Sequence, residues 1–448
     1  MRLLYRLAGF IAVLALTSPA AAQSVLRDAE TEAFFRDVSK EMVVAAGLDP
    51  RNVQIILVGD QSINAFVTGG QNIFIHSGLI AAADNVNELQ GVIAHEIGHI
   101  AGGHIVRFNE GAGPASRISL LSLVGAAALI AVGAGEAGLA VLGLGTAAAQ
   151  GKFLNFTRDQ ESRADQAGAL YLGKAGLSGR GSIAFFQKLL GQEFRLAIKQ
   201  ENEYARTHPL SGTRIANLEN VYVNDPAWNR PPDPRLNARF LRIKGKLIGF
   251  VAEPPRVLQL YPESDKSVPA HYARAYAWHR SAYAVQAAAE ADALLRTAPA
   301  DPYFLELKGQ ILLENGKVAE AVPLLRAAVS NAPNEPLIMT LLGHALISTE
   351  NPVDFAEAEP LLKNALARDR ENPFAWYQLG VIYDRKGDAP RAALAAAERY
   401  SLENNARGAA ANARLALAGL PPGTPDWIRA EDISLVAGDE LGKKKRRR

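Results

Sequence analysis

Apolar residues recur along this chain in two rhythms, and the change between them predicts its elements. Residues 53–58 and 63–75 carry strand-like runs rich in Val, Ile and Phe, and Thr68-Gly69-Gly70-Gln71 within the second marks a hairpin turn. From residue 89 the spacing turns helical, with Leu89, Ile93, Ile97 and Ile100 on one stripe. A second helical run opens at Asp159 and continues through Tyr171 and Leu172. Between them, residues 118–135 form an uncharged run of 18 residues rich in Ala, Gly and Leu; Glu136 interrupts it, and a second uncharged run reaches Gly151.

From residue 268 onward the pattern repeats. Gly309, Gly343 and Gly380 recur at spacings of 34 and 37, and each follows a proline (Pro302, Pro336, Pro373) by seven residues. That is the period of tetratricopeptide repeats, whose two-helix units bury a common face only by stacking on their neighbours. The first full unit places Gly316, Ala321, Leu325, Ala328 and Pro333 at turn, small and apolar positions; the third does so with Trp376, Leu379, Gly380, Tyr383, Gly387 and Ala392. A weaker unit ends at Pro299, the second full unit has three extra residues around 348–355, and a helical stretch at 406–417 is expected to cap the array. Four units make a stable stack, whose concave face ordinarily binds extended segments of other proteins.

The helical run at 89–100 contains His95-Glu96-Ile97-Gly98-His99, an HExxH motif. Four residues advance a helix by about 400°, so the two imidazoles rise from one face about 6 Å apart and can share one Zn2+. Glu96 then sits beside the open coordination position, where zinc brings water towards a pKa of about 7 and a carboxylate that takes the proton leaves a nucleophile for an amide carbonyl. Val92, Ile93, Ala94, Ile97 and Ile100 make the surroundings apolar, and an interior helix rarely carries two histidines and a glutamate unless they are paired or metal-bound. A third ligand is needed. His104 misses the metzincin register, which would put a histidine where Ile105 stands; on a continuing helix it lies about 140° from His99 and reads as an ordinary polar residue. The better candidate lies in Asp159-Gln160-Glu161-Ser162-Arg163-Ala164-Asp165. There Glu161 and Asp165 share a face, so Glu161 can bind zinc while Asp165 accepts the outer N–H of a ligating histidine.

Together, HEIGH at 95–99, ESRAD at 161–165 and Thr207-His208-Pro209 followed by Arg214 resemble the zinc peptidases related to the CAAX prenyl proteases, in particular their soluble periplasmic branch with C-terminal tetratricopeptide repeats. The resemblance implies one Zn2+ per chain on His95, His99 and Glu161, with Glu96 as general base. For Asp165 it implies a proton-donating catalytic role, which stays open beside the supporting role its spacing suggests. For His208 it implies a loop position near the zinc. That imidazole either occupies the fourth coordination position and holds the enzyme latent or, withdrawn, hydrogen-bonds the oxyanion; Pro209, Ser211 and Gly212 give the loop a turn-like composition. Asn64-Ala65-Phe66 resembles the family's edge-strand motif and implies pairing with an extended polypeptide substrate. The implied fold is α+β, a mainly helical zincin-like metalloprotease domain with a small β-sheet, followed by an all-α repeat solenoid. The implied function is a periplasmic zinc endopeptidase acting on misassembled outer-membrane proteins, its repeats docking their assembly machinery. The competing class is a chaperone or assembly factor with a latent protease half.

Composition sets the boundaries. Residues 1–22 combine Arg2 and Arg6 with an apolar stretch at 7–16 and Ala20-Ala21-Ala22, a cleaved secretory signal whose core is too short to span a bilayer. The chain has no cysteine, so neither a disulfide nor cysteine lipidation supports it. The whole chain has 48 basic and 46 acidic side chains, but residues 23–442 carry 40 against 46, and the basic end at 443–448 is expected to be disordered. Nothing points to nucleic acid. For residues 118–150 two membrane spans compete with a helical hairpin that covers the cleft or touches a membrane surface; the length and the Ala/Gly content favour the hairpin. The expected domains are a signal peptide at 1–22, a zinc peptidase at 23–225, a linker with a connecting helix at 226–267, repeats at 268–420 and a tail at 421–448.

Overall fold

The computed structural model describes residues 24–104, 118, 120–123, 135–195, 208 and 211–446. The expected signal peptide and most of the apolar run at 118–135 lie outside the described residues. The chain divides into two units, residues 1–27 with 32–244 and residues 28–31 with 245–448.

In the first unit, β1 (Ser24–Leu26), β2 (Gln54–Gly59), β3 (Ala65–Thr68) and β4 (Asn72–His76) form one sheet in the order β1-β2-β4-β3. β3 and β4 are the expected hairpin, with Ala65 opposite Ile75 and Thr68 opposite Asn72. Gly69 and Gly70 turn it at φ of 61° and 98°, a region that side chains with a Cβ rarely enter. Because β4 also pairs in parallel with β2, β3 is left at an edge of the sheet. α1 (Ala29–Ala45), which belongs to this unit from Glu32 onward, lies between β1 and β2 in sequence, and α2 (Ser77–Ala82) leaves β4 directly.

α3 (Val86–Ala101) carries HExxH and is buried from Val86 to His99. Asn85 starts it, its side-chain oxygen accepting from the N–H groups of Asn87 and Glu88. α3 packs against α4 (Gly135–Lys174), which carries ESRAD, and α5 (Arg180–Arg195). Gly98 sets the approach to α4: a Cβ there would stand 2.6 Å from the Ala164 carbonyl oxygen, so the glycine of HEIGH is where the two motif-bearing helices touch. α6 (Gly212–Val223) starts at Ser211, whose hydroxyl accepts from Arg214 N–H. α7 (Pro234–Val251) is the connecting helix, and the division between units falls inside it, beyond the boundary expected at 225. Among the described residues no helix is long and apolar enough to cross a membrane.

The second unit opens with α8 (Pro254–Leu260) and continues as helix pairs: α9 (Val268–Arg280) with α10 (Ala284–Thr297), α11 (Pro302–Glu314) with α12 (Val318–Asn331), α13 (Pro336–Ser348) with α14 (Pro352–Arg368), and α15 (Pro373–Arg385) with α16 (Ala389–Leu402). The periodic prolines open α11, α13 and α15, where a fixed φ suits the first helical turn and no N–H is wasted. Gly309 and Gly343 lie under the Leu325 and Leu362 side chains, letting paired helices approach. Leu325, Leu342, Leu346, Leu362, Leu379 and Ile382 belong to one continuous core. The three extra residues lengthen α14 to 17 residues, against 14 in α12 and α16.

The C-terminal end differs from expectation. α17 (Ala406–Gly419) packs against α18 (Pro425–Arg446), a fifth pair in place of a lone cap followed by a tail with a disordered basic end, of which residues 447 and 448 lie outside the described residues. Trp427, Ala430, Ile433, Ala437 and Leu441 recur at helical spacing and join one cluster with Ala409, Ala413 and Ala416. Lys443 pairs with Asp439 at 2.8 Å, one turn earlier on the same helix.

Candidate active site

One turn of α3 aims His95 and His99 at the same point. Their Nε2 atoms are 3.0 Å apart, and the Glu161 carboxylate from α4 approaches both, Oε2 at 3.4 Å from His95 Nε2 and Oε1 at 3.3 Å from His99 Nε2. His208 comes in from the segment before α6, its Nδ1 3.3 Å from His95 Nε2 and 3.1 Å from each Glu161 oxygen. The four side chains are buried, and one ligand-type atom of each lies within 4.8 Å of the others. A tetrahedral ion with bonds of about 2.0 Å has ligand atoms about 3.3 Å apart, so separations of this size suit one small cation with nitrogen and oxygen donors.

Glu96 supplies a second test. It is fully buried, neither carboxylate oxygen has a hydrogen-bond partner among the described residues, and His208 Nε2 stands 3.6 Å from Oε1. A carboxylate left this way is costly unless the chemistry of the site uses it. The donor set therefore fits a metal with a neighbouring base.

A ring of polar contacts fixes the donors. Asp165 Oδ1 lies 2.9 Å from His95 Nδ1, and Arg214 donates to Asp165 through Nε at 2.5 Å and Nη2 at 2.8 Å while its Nη1 stands 3.0 Å from Glu161. The Arg214 guanidinium lies over the Phe186 ring, which also meets His95 edge-on. Burial opposes charge on His95, but hydrogen bonds to Asp165 and Glu161 outweigh it and hold this imidazole up to about 9. Burial also pushes Asp165 up, and Arg214 and His95 more than offset that. Glu161 sits well below the usual carboxylate range despite burial, because His208, His95 and His99 converge on it. His99 is shifted down, chiefly by desolvation.

The edge-strand residues lie beside this cluster. The Ala65 carbonyl oxygen is 3.3 Å from His208 Nε2. Asn64 is buried and its carbonyl accepts from His76 N–H, while Phe66 stacks on Phe74 at 5.2 Å, so its ring is engaged within the sheet. Thr207 and Pro209, on either side of His208, lie outside the described residues. Three residues escaped the sequence reading. Arg214 entered it only as a landmark and Phe186 not at all. His104, read there as an ordinary polar residue, is buried with Nδ1 2.9 Å from His99 Nδ1. The missed signal is Gly102-Gly103, which ends the helix that the reading had continued.

A buried HExxH helix, a glutamate from a second helix and a repeat array define a metallopeptidase with an appended interaction domain. Residues 29–222 match the model of peptidase family M48, and residues 286–336 and 354–409 match that of the tetratricopeptide repeat; the chain carries an M48 domain followed by such repeats and is a metalloendopeptidase. It is similar to the beta-barrel assembly-enhancing protease of Yersinia pestis, 28% identical over 356 residues that cover 77% of this chain and 71% of the relative. The protein of that name in Escherichia coli (strain K12) is 28% identical over 77% of this chain and 70% of its own length. The mitochondrial metalloendopeptidase OMA1 of Bos taurus is 28% identical over 204 residues, 42% of this chain and 38% of the relative.

Proposed function

We propose that this chain is a periplasmic zinc endopeptidase that removes misfolded or misassembled outer-membrane proteins, with repeats that dock it to their assembly machinery. The chemistry rests on one observation, the convergence of His95, His99 and Glu161 beside a buried Glu96 that has no hydrogen-bond partner among the described residues. In this reading those three residues hold one Zn2+, whose charge acidifies water and polarises a peptide carbonyl. Glu96 takes the proton of the attacking water on its carboxylate and passes it to the departing amine. Asp165 orients His95, since both its oxygens are already engaged by His95 and Arg214; this favours support over proton donation. β3, with Asn64, Ala65 and Phe66, offers an edge along which an extended substrate can pair. Exposed Leu120, Leu121 and Leu123 support peripheral membrane contact. The outer-membrane destination rests on the name shared by the bacterial relatives, and the periplasmic location also on the signal-like N-terminus.

A second reading, a repeat-based chaperone with a latent protease half, is favoured by His208 Nδ1 standing among the donor atoms. Glu96→Gln decides between them. The variant should keep its zinc and lose cleavage of an unfolded protein by at least about 10²-fold; turnover within about tenfold of wild type would show that another group activates the water. Full activity of the variant in cells would favour the chaperone.

A further inference from the structure

The two histidines of the motif are held from behind by different means. His95 Nδ1 faces the carboxylate of Asp165, whereas His99 Nδ1 faces the imidazole of His104 at 2.9 Å, the two rings 4.9 Å apart at 80°. His104 reaches this place because α3 stops at Ala101. Gly102 N–H bonds the Gly98 carbonyl and Gly103 N–H that of Ile100, and Gly103 at φ +63° swings the chain back along the last turn. A Cβ on Gly102 would run into the His104 ring. Of two successive glycines, one supplies a left-handed turn and the other supplies the room. His104 itself is only 6% exposed.

We propose that His104 is a positioning residue for His99, an inference that rests on reading His99 as a zinc ligand. Nε2 of His99 faces His95 and Glu161, so an imidazole ligating there keeps its proton on Nδ1. A hydrogen bond between two Nδ1 atoms needs one proton and one lone pair. His99 Nδ1–H therefore donates, His104 Nδ1 accepts, and the His104 proton resides on Nε2. Ligating histidines usually direct the outer N–H to a carboxylate, a carbonyl or water, which sets the ring angle and the tautomer. A neutral imidazole does the same for His99 without adding a negative charge to a site that already holds Glu161, Asp165 and Glu96.

The test is the zinc affinity of the purified full chain, measured by competition with a chromophoric chelator, with Co2+ absorption as a report on ligand geometry. His104→Leu fills the space without an acceptor and should weaken zinc binding roughly 10- to 100-fold and shift the Co2+ bands. His104→Asn places Oδ1 one bond from Cγ, where Nδ1 was, and should recover affinity to within about threefold of wild type together with its Co2+ spectrum. Wild-type affinity in the Leu variant, or an Asn variant as weak as Leu, overturns the role. If instead the wild type takes up no zinc, or His99→Ala retains full occupancy, the metal-site reading fails and this inference falls with it.

Discussion

At the scale of single residues the site is decided by which atom of each side chain faces inward. His208 presents Nδ1 to both Glu161 oxygens and to His95, the pose of a fourth ligand, while its Nε2 is turned to Ala65. If it holds the open position at rest, His208→Ala should raise the rate of peptide cleavage, since a ligand there must leave before water and substrate enter. If it mainly serves the oxyanion, the same variant should slow turnover by roughly 10² to 10³. We expect the rise. Zinc content and cleavage rate measured on the same preparation check it, and an unchanged rate with zinc retained would take His208 out of the mechanism. HExxH and ExxxD were legible in the sequence because four-residue helical spacing is a local rule that brings side chains to one face. His208 is 47 residues beyond Glu161, and only a family resemblance pointed to it. His104 was hidden by assuming that α3 continued past two glycines.

At the scale of elements, the contact between α3 and α4 joins the two motifs. Replacing Gly98 by Ala would gain up to about 1 kcal/mol in helix propensity. The new Cβ, however, meets a backbone carbonyl, which cannot rotate away, and overpacking of this kind costs about 1 to 3 kcal/mol. The steric term should win. Gly98→Ala is expected to lower the unfolding temperature of the metal-free protein and to weaken zinc binding, because Glu161 retreats with α4 from His95 and His99. An unchanged melting curve together with unchanged zinc affinity would mean that the helices separate at no cost to the site. The hairpin of β3 and β4 and the period of the repeats could be read from the chain because each is written in neighbouring residues. The parallel pairing of β2 with β4 and the docking of β1 depend on contacts that no local pattern encodes. α18 was misread for another reason: its final basic run drew attention from the apolar stripe before it.

For the whole molecule, composition placed a linker at a proline-rich stretch, yet the units are not consecutive segments. Residues 28–31 belong with the repeats, where Ala29 packs with Leu305, Ala328 and Ile338. They bring two carboxylates with them. Lys246 is buried and forms an ion pair with Asp28, with Glu30 at 3.4 Å, and Glu30 also accepts from the Tyr272 hydroxyl at 2.8 Å. Burial pushes Glu306 up to about 8, so it is a weaker counter-charge for Lys246 than the other two. Lys246→Met should therefore destabilise this unit by about 3 to 5 kcal/mol, the cost of a buried charge left without its partner. The pH dependence fixes the sign. Burial pushes Asp28 up, but the Lys246 charge and hydrogen bond outweigh it and hold it below its ordinary value. Such a carboxylate stabilises the fold above its unfolded pKa of about 3.9, and the contribution disappears as pH falls through the lower folded value. Without Lys246 burial is the strongest influence left on Asp28, whose carboxyl then takes up its proton at higher pH than when unfolded, so the deficit of the variant should shrink as pH falls from about 7 to about 5. Urea unfolding of both proteins at the two pH values measures that difference, in which the titration of Glu306 largely cancels. A deficit independent of pH, or one under about 1 kcal/mol, would show the pair to be solvated and without weight in holding residues 28–31 to the repeats.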